Sequence, residues 1–133
     1  MYKRMIFGVF VMCMALVLAT GCSGKGGGEE QGGSVQAGEK LFKQTTIGNQ
    51  PGCATCHSLE ADVTIVGPSL AGIANRAGER VSGLSTEEYL RQSILEPNAF
   101  TAEGFSANIM PKWSDELSKE QVDSLIAFLL SLK

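Results

Sequence analysis

The segment Cys53-Ala54-Thr55-Cys56-His57 constrains this chain more than any other. Two thiols three positions apart fall on one face of a single helical turn, and the next residue projects an imidazole from the end of that turn. Cys-x-x-Cys-His is the attachment sequence of c-type haem, in which the thiols add across two vinyl groups and the imidazole lies beneath the iron. Two other readings use the same residues. In an oxidising compartment the pair can close a disulfide, and Cys53, Cys56 and His57 are three possible zinc ligands. Zinc is short of donors, because the chain has one His and four Cys and the other two Cys fall near the N-terminus.

That N-terminus reads as an export signal. Lys3 and Arg4 give a short positive flank, and residues 6–19 are fourteen positions without a charge. A spanning helix needs about 20 apolar residues, so the run is short for a membrane span and suits a signal-peptide core. Ala19-Thr20-Gly21-Cys22 then resembles the bacterial lipobox, in which the Cys is lipidated and becomes the new N-terminus. Residues 1–21 are thus expected to be a lipoprotein signal peptide, with an uncleaved short anchor as the alternative. Either way the rest of the chain lies outside the cytoplasmic membrane, on its outer (periplasmic) face or on an outer membrane.

Residues 22–35 read as the lipidated Cys22 and a tether. Six Gly stand among the twelve residues 23–34, with no large apolar side chain. Such a stretch buries too little surface to order itself, and its r.m.s. reach is about 20 Å. Loss of Lys3 and Arg4 with the signal leaves nine basic and fourteen acidic residues, a net charge of −5. No Lys/Arg run appears anywhere, which excludes a basic nucleic-acid binder.

Counting then narrows the ligands. Met1, Met5, Met12 and Met14 leave with the signal, so the exported chain keeps one Met, Met110, and one His, His57. A lone Met more often fills a core gap. Beside a haem with no competing donor, Met110 reads as the second axial ligand, and Pro111 behind it favours an extended loop.

The remaining domain, residues 36–133, reads as all-α, with three to five helices around one covalent haem. Ser118-Lys119-Glu120-Gln121 is a capping box, after which Val122, Leu125, Ile126, Leu129 and Leu132 recur at helical period. Ser85-Thr86-Glu87-Glu88 is a second box, opening a helix through Leu90 and Ile94 that Pro97 closes. Leu41 and Phe42 supply apolar contacts on a first helix, and no segment shows sustained strand alternation. Tyr89, Phe100 and Phe105 read as pocket wall. Asn98 and Asn108 read as turn residues. Trp113 has two readings, an indole N–H on a haem propionate or plain packing.

Four segments in order make the domain resemble a class I monohaem cytochrome c: Gly38-Glu39-Lys40-Leu41-Phe42, Cys53 to His57, Gly67-Pro68-Ser69-Leu70, and Met110-Pro111. The resemblance implies a first helix that crosses the last one at a Gly, and a Pro68 carbonyl that accepts a hydrogen bond from His57. It also implies that Arg76 pairs with a haem propionate, a solvated surface Arg being the alternative. An iron with two protein ligands has no open position for substrate. The expected function is therefore one-electron transfer rather than catalysis, as a membrane-anchored relay or subunit of a respiratory or photosynthetic chain. The implied partners are the membrane, through lipid at Cys22, and a redox donor and acceptor. The latter include multi-subunit quinol-oxidising complexes such as alternative complex III, or an oxidase. A haem sensor or small peroxidase with a labile Met110 bond is the alternative.

Overall fold

The computed structural model describes residues 33–133. The expected signal, Cys22 and most of the Gly-rich segment lie outside the described residues.

The last helix organises the rest. Ser118 caps it by accepting from the Gln121 N–H at 3.3 Å, and Gln121 Oε1 accepts from the Ser118 N–H at 2.9 Å, so the box read from sequence is formed. The helix, Lys119–Ser131, stops one residue short of Leu132, whose extended backbone turns its carbonyl outward to accept from the Ala74 N–H at 3.0 Å. Val122, Leu125, Ile126, Phe128 and Leu129 are buried.

The other segments precede it in the order α1 (Val35–Phe42), β1 (Thr46–Ile47), β2 (Gln50–Pro51), α2 (Cys53–Cys56), α3 (Ile73–Arg76), a 3₁₀ turn (Ala77–Glu79) and α4 (Thr86–Leu95), which makes Lys119–Ser131 α5. The domain is all-α as expected, apart from one antiparallel hairpin that pairs Thr46 with Pro51 and Ile47 with Gln50. Gly48, at φ +57, takes the turn position that requires glycine.

Helix α1 crosses α5 where Gly38 meets Ser124. A Cβ on Gly38 would overlap the Ser124 carbonyl and come within 2.8 Å of Phe128 Cβ, so only glycine allows the approach. Phe42 and Phe128 then stack obliquely at 5.5 Å between centroids. Ser34 caps α1 by accepting from the Ala37 N–H, and its own N–H donates to Ser124 Oγ at 3.2 Å. Helical structure therefore starts at Val35, at the end of the segment expected to be tether.

Helix α4 carries the second box, with Glu88 N–H on Ser85 Oγ at 3.3 Å and Ser85 N–H on Glu88 Oε2 at 2.8 Å. It buries Tyr89, Leu90 and Ile94 and ends ahead of Pro97. An ion pair joins it to α5: Arg91 Nη1 lies 2.8 Å from Asp123 Oδ1, while Lys119 Nζ lies 2.7 Å from Oδ2. Hydrogen bonds from Lys119 and then Arg91 hold the Asp123 carboxyl below its ordinary 3.8. A depressed carboxylate adds stability above its unfolded value and loses it as pH falls through the folded one. Asp123→Asn is expected to lower stability by about 0.5–1 kcal/mol at neutral pH. In denaturant titrations of the holoprotein, the gap between variant and parent should hold above the ordinary carboxylate value and close as the pH falls below it.

Candidate haem site

The hairpin returns the chain to Gly52, whose N–H donates to Thr45 O at 2.8 Å, and the next four residues make the single turn α2. Thr55 Oγ closes that turn onto Gly52 O. Cys53 and Cys56 therefore sit at i and i+3, on one side of the turn, and they are free rather than joined in a disulfide. Before a thioether forms, burial first and the neighbouring Cys56 after it push the Cys53 thiol up to about 11.

His57 ends the turn in extended backbone at φ −116°, its N–H on Cys53 O at 2.9 Å. Its ring Nδ1 lies 2.9 Å from Pro68 O. A carbonyl only accepts, so Nδ1 carries the proton and Nε2 keeps a lone pair. Burial pushes the His57 pKa down, partly opposed by the Pro68 hydrogen bond. The result is a neutral imidazole of fixed tautomer, the form that binds a metal ion.

Several bonds hold Pro68 in place. Val66 and Gly67 both donate to Cys56 O, at 3.2 and 2.9 Å, and Leu70 donates to Ser58 O at 2.8 Å. Arg76 donates to Ser69 O at 2.5 Å and to Ala71 O. A Cβ on Gly67 would lie 2.5 Å from His57 Cε1 and 2.8 Å from Nδ1, so the imidazole packs directly on a residue with no side chain.

Across from this wall, α4, α5 and the loop after α4 close a cleft of ≈ 1230 Å³, open mouth included. Ile73, Leu90, Ile94 and Leu129 make much of its apolar wall. Cys53, Cys56, His57, Pro68, Arg76, Met110 and Trp113 all line it, as do Tyr89, Phe100 and Phe105. Tyr89 and Phe100 meet edge to face at 5.8 Å. The guanidinium of Arg76 is engaged by backbone carbonyls, and Trp113 is buried. Asn98, read from the sequence as a turn residue, lines the cleft too, as does Arg80, which did not stand out in the sequence. Arg80 stands four residues after Arg76, the one signal that pairs them.

These residues suit a flat apolar cofactor with anionic edges. Two thiols, an imidazole with a free lone pair, a thioether and two guanidinium-bearing side chains line one apolar cleft.

Residues 35–133 match the family model described as Cytochrome c. The chain is 30% identical over 119 residues to cytochrome c2 of Rhodopseudomonas palustris, covering 72% of this chain and 96% of that protein. A solved structure of SoxXA from P. pantotrophus is 22% identical with a TM-score of 0.47, covering 77% of this chain and 83% of that one. The chain belongs to the cytochrome c family. Its cofactor is covalent haem c, and Cys53 and Cys56 fit the attachment positions. Bound there, the haem supplies one-electron exchange between ferric and ferrous iron.

Gly67→Ala is expected to displace the imidazole and cost the holoprotein on the order of 2 kcal/mol. Pro68→Ala keeps the accepting carbonyl and should cost less than about 1 kcal/mol. Denaturant titrations followed by haem absorbance compare the two.

Proposed function

We propose that the protein is a membrane-anchored electron relay whose haem iron is held by His57 and Met110. The observation that carries this reading is that both side chains line one cleft while the chain has no other His and no other Met outside residues 1–14. The imidazole is held neutral with Nε2 unprotonated. A thioether opposite it favours ferrous iron and raises the reduction potential. With His57 and Met110 as its ligands the iron would have no position left for substrate and would supply electron exchange alone, so the protein is a carrier rather than an enzyme.

Electrons enter and leave at the mouth of the cleft. Among the described residues, four of the five exposed large apolar side chains, Val63, Ile65, Val66 and Ile109, lie on its two flanking loops, and Val66 and Ile109 line the cleft itself. Exposed apolar side chains beside a redox centre suit a partner that docks briefly and expels water.

The sequence features outside the described residues complete the proposal. Residues 1–21 direct export, lipid on Cys22 anchors the chain, and the Gly-rich segment behind it gives the domain reach. The relay then stands on the outer face of the cytoplasmic membrane or on an outer membrane. Its donor and acceptor belong to a respiratory or photosynthetic chain, with a quinol-oxidising complex or an oxidase as the class of assembly. Among the described residues no helix is long and apolar enough to cross a membrane.

Met110→Ala is expected to lower the potential by on the order of 0.1 V or more in a redox titration. An unchanged potential and spectrum would count against the ligand pair. Cys22→Ala should move the protein from the membrane fraction to the soluble one on fractionation of its host. Retention on the membrane would leave the lipid without a role.

A further inference from the structure

Met110 sits on a long arc of chain with few attachments. Among the described residues, two backbone N–H groups between Phe100 and Lys112 donate to protein acceptors: Phe105 to Ala102 O at 3.1 Å and Asn108 to Asn98 Oδ1 at 2.7 Å. The first bond lies inside the arc. The second fastens the arc to the chain just beyond α4, and Trp113 fastens its far end through an N–H on Ile94 O at 3.4 Å. Met110 lies between these two fastenings.

The anchor is stiff. Asn98 follows Pro97, whose ring fixes its φ, and the next N–H, that of Ala99, closes a turn onto Glu96 O at 2.8 Å. The fastened residue is unusual, because Asn108 has φ +63, a left-handed conformation that few side chains accept. The next residue, Ile109, stands exposed at the mouth of the cleft, and Met110 after it lines the cleft.

We propose that Asn98 is a positioning residue for the iron's sixth ligand: its Oδ1 holds the Asn108 N–H, and that bond keeps Met110 seated. The proposal rests on Met110 being the ligand. Without the bond the segment around Met110 keeps one backbone hydrogen bond to the rest of the fold, that of Trp113, and states in which the thioether has swung away gain population. One hydrogen bond's usual net worth corresponds to roughly a fivefold gain.

External imidazole competes for the iron, so its apparent affinity for the ferric holoprotein, read from haem absorbance, reports how often Met110 leaves. Asn98→Ala is expected to raise that affinity about fivefold. Asn98→Asp keeps an acceptor oxygen and should return it to the parent value. Ser118→Ala removes the α5 cap at a similar cost in global stability, breaks neither fastening of the loop, and should leave imidazole affinity unchanged. Met110→Ala is the reference and should bind imidazole far more tightly than any of these. An Asn98→Ala affinity equal to the parent's would overturn the proposal. So would an equal rise in Asn98→Asp or Ser118→Ala. A Met110→Ala affinity equal to the parent's would overturn the ligand assignment itself, which separates that failure from a failure of Asn98.

Discussion

The hydrogen bond from His57 Nδ1 to Pro68 O ties the two halves of the site together. It fixes the tautomer of the sole imidazole, sets its plane, and locks the loop after α2 against α2 itself. Nearby contacts serve this bond. Gly67 makes room for the ring, Val66 and Gly67 anchor on Cys56 O, and Arg76 holds the carbonyls on the far side of Pro68. The Arg76 guanidinium, which lines the cleft, also braces the loop that orients the imidazole.

Helix α5 is the shared wall on which those parts rest. Its contacts run to α1 through Gly38, to α3 through Leu132 and to α4 through the Asp123 ion pairs. Leu129 of the same helix reaches the cleft. Ile73, Leu90, Ile94 and Leu129 therefore serve both the core that stabilises the domain and the wall of the haem pocket.

Much of this was legible in the sequence because it depends on short-range chemistry. The two capping boxes need only Ser and a Glu or Gln three residues on, and both formed. The thiol spacing and the scarcity of His and Met named the residues that meet in the cleft. Other features depend on the path of loops and left little trace. Asn98 and Asn108 are ten residues apart and read as ordinary turn residues, yet one holds the other. The hairpin at Thr46–Pro51 has strands of two residues, too short to show alternation, although Gly48-Asn49 between them is a recognised hairpin pair. Arg76 bonds only to backbone carbonyls, a choice no side-chain pattern encodes.

The Ser34 N–H on Ser124 Oγ has a mechanical consequence. A tug on the chain from its N-terminal side is received first by that bond and by the α1–α5 crossing, where Gly38 and Ser124 are in closest contact. The segments that carry His57, Pro68 and Met110 come later in the chain than α1, so a load applied at Ser34 meets the α1–α5 crossing before it reaches them.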